Sequence, residues 1–353
     1  MVALPRLDLD SVLSAPADRQ RLLSAVVAEL RADLPDMVVS SGTEALVLTS
    51  LVAAELQLPM AYLRPKPKSH GRRQRVEGQL RGANLALIAV EPTPETVQDN
   101  LELVAEHGAR IARVVALGSA PDGLAVPVMV VSAEHPHQVP SPSASPVATG
   151  EGSAEQIAKI LLDMGAVIIR QEPFRYASGI LSPIYTDCRL LISYPQQWQN
   201  VLDALERRLQ TLDYKVIDGV ATSGIPHASV LAHRLHKPLI YVNDGRIVGA
   251  AKNGDRVAVI EDLVTTGKSV LEAAAALREH GLRPDRCLAI FTYGRQQPAL
   301  EAAGIAFDPL SDLETLLQVG VEHGYFGDAE RQAVLDWRHD PRDWTARHEP
   351  IGR

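Results

Sequence analysis

The sequence predicts an α/β protein built from two tandem domains, each with a parallel sheet flanked by helices. Three observations support this fold class: strand-like and helix-like segments alternate, their order is repeated once along the chain, and a Pro- and Ser-rich stretch separates the two repeats. Strands that alternate with helices form parallel sheets through right-handed crossovers. With 353 residues, the chain has room for two domains of ordinary size.

The repeat is clearest between residues 22–63 and 201–242, which both run helix, strand, glycine turn, helix, strand. After the next helix, Glu106-His107-Gly108 matches Glu279-His280-Gly281. A repeat of this length indicates a duplicated domain, because the units of a solenoid are shorter.

Residues 132–153, SAEHPHQVPSPSASPVATGEGS, have no apolar periodicity and are typical of an extended linker. We therefore expect an N-terminal domain over 1–131, a linker over 132–153 and a C-terminal domain over 154–353.

The composition excludes several classes of protein. Hydrophobic residues make up 46% and charged residues 22%, as in soluble globular proteins, and the net charge of −8 argues against a general nucleic-acid binder. No apolar run reaches ~18 residues, so no transmembrane helix is expected. The N-terminal segment resembles no secretion signal, which favours a cytoplasmic location. Cys188 and Cys287 cannot form a metal site alone, and we interpret both as packing residues.

The most informative segment is residues 257–270, VAVIEDLVTTGKSV. A buried strand leads to Glu261 and Asp262, and Thr265–Ser269 then begin an alanine-rich helix. Carboxylates suit ribose hydroxyls or a metal, and free N–H groups at a helix N-terminus suit a phosphate. The segment therefore predicts a sugar-phosphate site. A nucleotide P-loop is excluded because Asp262 stands where that motif requires glycine.

The two repeats have lost complementary elements. Where the C-terminal repeat has the acidic pair and TTGKS, the N-terminal repeat has Ala89-Val90 and EPTPET, so we expect no ribose phosphate to bind there. Conversely, 20 positions separate Tyr62 from Gly82, but only 13 separate Tyr241 from Gly254. The shorter connection lacks a basic loop that the N-terminal repeat keeps. This loop carries four cationic or titratable residues: Arg64, Lys66, Lys68 and His70.

Several of these segments resemble known motifs. VAVIEDLVTTGKSV resembles the 5-phosphoribosyl-1-pyrophosphate (PRPP) loop of type I phosphoribosyltransferases, and RPKPKSHG (64–71) resembles the mobile catalytic loop of orotate phosphoribosyltransferases. Residues 174–189, FRYASGILSPIYTDCR, resemble that family's base-covering hood, although Ala177 stands where some members have lysine. ATSGIPHA (221–228) is similar to its pyrophosphate-side turn. The resemblance covers about 155–345 fully and 20–120 as a partial copy.

The resemblance implies transfer of the phosphoribosyl group from PRPP to orotate, with Mg²⁺ as cofactor. In that family the basic loop of one subunit closes over the PRPP site of its dimer partner. Here it implies a pseudodimer within one chain, with one composite site. A further homodimer, or exchange of loops between two chains, stays open. Nucleic acid and membranes are not expected as partners.

The resemblance also implies site residues. The catalytic set is Lys66, Lys68, His70 and Asp262. The PRPP-binding set is Arg64, Glu261, Asp262, Thr265, Thr266, Gly267, Lys268 and Ser269. The orotate-binding set is Ser178, Gly179, Thr265 and Arg295. Glu261 and Asp262 are expected to contact the metal indirectly, through PRPP-bound Mg²⁺.

Two alternative functions are weighed against this one. The PRPP loop alone is compatible with adenine, hypoxanthine or uracil as the base, whereas the basic loop and the hood favour orotate. A regulator that binds PRPP without catalysis is the other alternative. Such a protein would be indicated by an appended DNA-binding element, and none is visible in the sequence.

Overall fold

The computed structural model describes residues 9–66, 74–82, 84–121, 123–124, 126–131, 152–176, 178–243, 245–294 and 297–349. These residues form two six-stranded sheets flanked by helices, together with a separate two-stranded hairpin. The predicted fold class, two tandem α/β domains with parallel sheets, is confirmed.

The N-terminal domain contains the following elements in chain order: α1 (Leu9–Ser14), α2 (Pro16–Ala32), β1 (Met37–Ser41), α3 (Gly42–Leu56), β2 (Met60–Leu63), β3 (Val76–Glu77), β4 (Asn84–Val90), α4 (Pro94–Glu106), β5 (Arg110–Leu117) and β6 (Val128–Val131). Its sheet has the order β3-β2-β1-β4-β5-β6. Strand β3 is antiparallel to β2, and the other neighbours are parallel.

The C-terminal domain begins with α5 (Ala154–Asp163), and the hairpin strands β7 (Val167–Arg175) and β8 (Leu181–Thr186) follow. A short 3₁₀ helix spans Cys188–Ser193. The remaining elements are α6 (Pro195–Gln210), β9 (Val216–Gly219), α7 (Ile225–Arg234), β10 (Leu239–Asn243), β11 (Arg246–Val248), β12 (Arg256–Val264), α8 (Lys268–Glu279), β13 (Arg283–Thr292), α9 (Gln297–Ala302), β14 (Ala306–Asp312), α10 (Leu313–Glu322), α11 (Asp328–His339) and α12 (Pro341–His348).

The second large sheet has the order β11-β10-β9-β12-β13-β14, which repeats the order of the first. The strand registers also match. Tyr62 of β2 pairs with Glu77, and Tyr241 of β10 pairs with Val248. The register therefore identifies equivalent residues in the two domains, and the duplication inferred from the sequence is confirmed.

Local signals set several helix boundaries. Thr93 accepts a hydrogen bond from the backbone N–H of Thr96, and Pro94 opens α4 with the φ angle that a first helical turn requires. Ser153 and Gln156 form a reciprocal capping box at the start of α5. Helix α5 thus begins at Ala154, directly after its cap residue Ser153.

The two domains share one apolar core. Helices α3 and α7 hold equivalent positions after β1 and β9, and they pack against each other. Every residue of α3 from Ala45 to Ala53 is buried, as is every residue of α7 from Ile225 to Ala232. Helices that are buried on all sides belong to the interior of a protein. The domain interface is therefore a packed core and not a loose contact.

A buried arginine also joins the domains. Arg19 of α2 is fully buried and donates to the carbonyl oxygens of Leu13, Ala232 and Lys237, at 2.6, 3.0 and 2.8 Å. Ala232 lies in the last turn of α7 and Lys237 beyond its end, and the Ala232 carbonyl also accepts from the backbone N–H of Lys237 at 2.9 Å. Burial lowers the pKa of Arg19 to about 10.

The helices in the described part of the chain include none with the length and apolarity needed to cross a bilayer.

Candidate active site

The acidic pair lies near the end of β12. The strand continues through both residues to Val264, two positions further than the sequence pattern indicates. Glu261 is 6% exposed and Asp262 is 8% exposed, and Oε1 of Glu261 accepts a hydrogen bond from the backbone N–H of Asp262 at 2.9 Å. The N-terminal equivalents, Ala89 and Val90, close β4 in the same register, so the loss of the acids there is confirmed by position.

Electrostatics favour a proton or a cation at this pair. Burial raises the pKa of Glu261 well above its ordinary value, and the nearby charges of Asp262 and Asp218 raise it further. Burial also raises the pKa of Asp262, although Glu261 and Arg189 oppose that shift. Two carboxylates this close and this buried cannot both ionise without compensation. Hydroxyl donors or a bound cation would supply it.

A third carboxyl, Asp218, lies on β9 one strand from this pair. It is fully buried, and neither of its oxygens has a hydrogen-bond partner among the described residues. Burial raises its pKa to about 7. Asp218 is not part of any motif identified in the sequence. The available signal was an aspartate within an otherwise apolar strand, VIDG.

The predicted phosphate nest lies between β12 and α8. Gly267 precedes α8 with a φ of 76°, a backbone conformation that favours glycine. Thr265, Thr266, Lys268 and Ser269 are exposed, and the N–H of Lys268 donates to Thr266 Oγ1 at 3.4 Å. The ammonium of Lys268 instead lies 3.6 Å from Glu272 on the outer face of α8. In this arrangement the charge of Lys268 is directed to Glu272 and its backbone N–H to Thr266.

The turn after β9 approaches the acidic strand closely. A Cβ on Gly224 would lie 2.3 Å from the carbonyl oxygen of Ile260, so only glycine fits there. Thr222 and Ser223 line a small cleft between the two domains. The cleft is also lined by Leu46, Tyr62, Glu77, Arg189, Ile192, Pro226 and His227.

Arg64 links the start of the basic loop to this cleft. Its Nη2 donates to Thr222 Oγ1 of the C-terminal domain at 2.9 Å, and its guanidinium lies 5.1 Å from the centre of the Tyr62 ring. Lys66 is exposed and is the last described residue before the loop continues. The two other loop residues assigned to catalysis, Lys68 and His70, lie outside the described residues.

Arg189 joins the hood to the same cleft, and the sequence analysis gave it no role. It binds Asp187 through two hydrogen bonds of 2.5 and 2.7 Å and donates to Glu77 of the N-terminal domain at 3.2 Å. Burial acts against its positive charge, but Asp187 and Glu77 outweigh that effect and raise the pKa of Arg189. In the sequence, the spacing Asp-x-Arg at the end of the hood motif was the signal that Asp187 and Arg189 form an ion pair.

In the described part of the chain, the tip of the hood, Ser178 and Gly179, has few contacts that fix its position relative to the acidic pair. Ser178 and Gly179 are exposed, and Arg175 Nη1 donates to the carbonyl of Gly179 at 3.0 Å. No hydrogen bond among the described residues joins them to segment 261–269, so their role toward orotate stays a prediction. The start of strand β8 in the hood is held by Trp337, whose Nε1 donates to the Leu181 carbonyl at 2.8 Å. Arg295, the fourth residue assigned to orotate, is outside the described residues.

His227 contributes a neutral donor to the cleft. Its Nδ1 accepts a hydrogen bond from Trp198 Nε1 at 2.9 Å, and burial lowers its pKa to about 3. A neutral imidazole that accepts at Nδ1 carries its proton on Nε2. That nitrogen is buried and has no partner among the described residues.

The chain resembles enzymes of one family over about half its length. It is 41% identical over 204 residues to the orotate phosphoribosyltransferase of Coxiella burnetii, a match that covers 54% of this chain and 98% of that relative. It is 39% identical over 203 residues to that of Bacillus subtilis, over 53% of this chain and 94% of the relative. No protein-family model matches the chain.

Among solved structures, the orotate phosphoribosyltransferase of Aeropyrum pernix is 34% identical, with a TM-score of 0.42 over 46% of this chain and 97% of that one. These two bacterial relatives are matched over 98% and 94% of their own length, at 41% and 39% identity. On that similarity, the chain belongs to the orotate phosphoribosyltransferase family.

Proposed function

We propose that this chain transfers the 5-phosphoribosyl group of PRPP to orotate, giving orotidine 5′-monophosphate and pyrophosphate, at one composite site between its domains. The observation that carries this proposal is the hydrogen bond from Arg64 to Thr222. It connects the base of the N-terminal loop to the pyrophosphate-side turn of the C-terminal domain. Because both residues belong to one chain, it supports loop donation within a single molecule.

The ribose is assigned to the acidic pair. Displacement at the anomeric carbon develops positive charge on the sugar, as in glycoside cleavage. Glu261 and Asp262, buried near the end of β12, would bind the ribose hydroxyls. The carboxyl that keeps a proton would donate a hydrogen bond, and the ionised one would accept. The raised pKa values of both groups support such sharing. The pair would thus place negative charge where the sugar becomes positive.

The 5′-phosphate is assigned to residues 265–269. Backbone N–H groups at the start of α8 and the hydroxyls of Thr265, Thr266 and Ser269 are donors suited to an anion. The positive φ of Gly267 gives the turn its concave shape. The exposed ammonium of Lys268 has no part in this assignment.

The leaving pyrophosphate is assigned to the basic loop. Arg64, Lys66, Lys68 and His70 would oppose the negative charge that grows on the departing group, and such stabilisation accelerates a reaction because it acts in the transition state. Orotate is assigned to Ser178, Gly179, Thr265 and Arg295, whose planar guanidinium suits a carboxylate. No general base is assigned, because the ring nitrogen of orotate is acidic enough to arrive deprotonated.

Magnesium fits this donor set. The described residues include no cluster of three or more His, Cys, Asp or Glu side chains that could form a metal cage. Mg²⁺ commonly binds through one or two carboxylates together with the phosphates of its substrate. Glu261 and Asp262 would supply those carboxylates, and the cation would neutralise charge on PRPP and its pyrophosphate.

The same proposal divides the chain into residues 1–131 as loop donor, 132–153 as linker and 154–353 as the phosphoribosyltransferase domain. The packing of the equivalent helices α3 and α7 supports a pseudodimer, because a two-fold arrangement brings the same surface of each copy together. A further homodimer, and a cytoplasmic location, stay predictions from the sequence.

The test is turnover by the purified protein. We expect magnesium-dependent consumption of orotate with PRPP and release of pyrophosphate, and no turnover of adenine, hypoxanthine or uracil. Turnover of another base would correct the specificity. Tight PRPP binding without turnover of any base would instead identify a regulator and refute the enzymatic proposal.

A further inference from the structure

Glu77, at the end of β3, connects the two domains through one carboxylate oxygen. Its side chain is 6% exposed. Oε1 accepts hydrogen bonds from Arg64 Nε at 2.9 Å, Arg64 Nη2 at 2.7 Å and Arg189 Nη1 at 3.2 Å. Arg64 belongs to the N-terminal domain and Arg189 to the C-terminal domain. A single buried acid therefore holds Arg189, which lines the cleft, and Arg64, which donates to the cleft residue Thr222.

These contacts fix the orientation of Arg64. Glu77 engages Nε and Nη2 along one edge of the guanidinium, and Nη2 also reaches Thr222. Nη1 has no hydrogen-bond partner within the described part of the chain, and we assign it to the anion. A long side chain held in its binding orientation before the ligand arrives loses less conformational entropy on binding.

Glu77 also separates like charges. Arg64 and Arg189 both lie within hydrogen-bonding distance of the same oxygen, and their guanidiniums would repel each other in its absence. Asp187 compensates Arg189 from the other side. Among the described residues, Glu77 is the acid that forms an ion pair with Arg64. Without that carboxylate we expect Arg64 to turn away from Thr222.

The duplicated domain shows what accompanies the loss of this acid. Strand registers place Val248 at the position of Glu77. Asn243, two residues after Tyr241, holds the position of Arg64, two residues after Tyr62. The arginine and the glutamate are thus both replaced by uncharged residues in the domain that carries no basic loop. Their joint replacement is expected if the acid serves the arginine and not the sheet.

We propose that Glu77 is a positioning residue for the phosphoribosyl transfer: it holds Arg64 toward the pyrophosphate of PRPP and ties this arrangement to the hood through Arg189. The inference rests on the proposed function for its ligand. Glu77 itself does not touch the substrate, and it acts only through the two arginines.

The experiment compares Glu77→Gln and Glu77→Val, the latter giving the residue of the second domain, with the wild-type chain. Ser14→Ala is the matched control, because it removes another interdomain hydrogen bond, from the backbone N–H of Ala250 at 2.6 Å, that involves none of Glu77, Arg64 and Arg189. Dissociation constants for PRPP and for pyrophosphate are measured by calorimetry, and kcat and both KM values by turnover. Circular dichroism establishes that each variant is folded.

We expect Glu77→Val to weaken PRPP and pyrophosphate binding about tenfold, the effect of losing a charged hydrogen bond, with a smaller loss for Glu77→Gln. The KM for orotate and the binding constants of Ser14→Ala should stay within about twofold of wild type. In an Arg64→Ala background, Glu77→Val should weaken pyrophosphate binding little further, because the group it positions is gone. A general packing role would instead give additive losses.

Wild-type affinity for PRPP in both Glu77 variants, or additive losses in the double variant, would overturn the inference. If the wild-type chain binds PRPP but converts no orotate, the proposed reaction fails while the binding comparison still decides the role of Glu77. If it binds neither PRPP nor pyrophosphate, both proposals are refuted.

Discussion

Asp218 and Val39 occupy equivalent positions in the two sheets. Val39 pairs with Ala61 and Leu87, and Asp218 pairs with Ile240 and Val259, each in the central strand that precedes the interface helix. One domain thus places a buried carboxyl where the other has an apolar side chain. The carboxyl has no hydrogen-bond partner among the described residues, so it costs stability that valine does not.

We predict that Asp218→Val stabilises the protein at alkaline pH. The pKa of Asp218 in the folded protein is about 7, above its ordinary value of 3.8, so the folded state binds more protons between these values. Its contribution to stability is therefore full below pH 3.8 and is lost as the pH rises through 7. Above pH 7 the substitution should add on the order of 4 kcal/mol to the free energy of unfolding.

Urea unfolding at pH 5 and pH 8 would measure this effect. The gain from Asp218→Val should be larger at pH 8, and the reverse change Val39→Asp should destabilise the protein most at pH 8. Equal gains at both pH values would show that Asp218 is not neutral in the folded state at pH 5.

A second prediction separates the backbone of the phosphate nest from its lysine. Gly267→Ala should weaken PRPP binding about tenfold or more, because alanine resists the positive φ that shapes the turn. Lys268→Ala should change PRPP affinity less than about threefold, because the ammonium lies beside Glu272 and alanine keeps every backbone N–H of the nest. Calorimetric titration with PRPP measures both. A larger loss from Lys268→Ala would place its ammonium on the phosphate.

A third prediction concerns whether the loop acts within its own chain. Chains carrying Arg64→Ala and chains carrying Asp262→Asn should each lose most turnover. A mixture of the two should stay inactive if each chain completes its own site, because every site then holds one defect. Recovered turnover in the mixture, followed as orotate consumption, would instead show that loops are exchanged between chains.

A fourth prediction concerns the interdomain arginine. Arg19→Met should lower the free energy of unfolding by about 3 kcal/mol, because it removes the three hydrogen bonds from Arg19 to the carbonyl oxygens of Leu13, Ala232 and Lys237. The Ala232 carbonyl keeps the backbone N–H of Lys237 as a donor. Arg21→Ala, on the same helix, is the control. Its side chain is 66% exposed and pairs with Asp18, so it should change stability by less than about 0.5 kcal/mol. Thermal unfolding of both variants compares the two effects.

The fold could be predicted from the sequence because two features reveal the duplication: the repeated order of helices and strands, and the matched short motifs. Glu261, Asp262 and residues 265–269 could be predicted because strand, acids and helix start are contiguous in the chain. Glu77, Arg189 and Arg19 could not, since their roles come from contacts between residues more than 100 positions apart. Asp218 was missed because only strand register shows that it lies beside the acidic pair.

Helix α3 has a consequence for how this protein can change over time. Its side chains form the interior of both halves at once, against α7 on one side and their own sheet on the other. A substitution there alters two structures together, so the halves are no longer free to diverge independently. If the two domains were encoded as separate chains, each would expose the apolar surface of its interface helix to water. This cost favours keeping both domains in one chain.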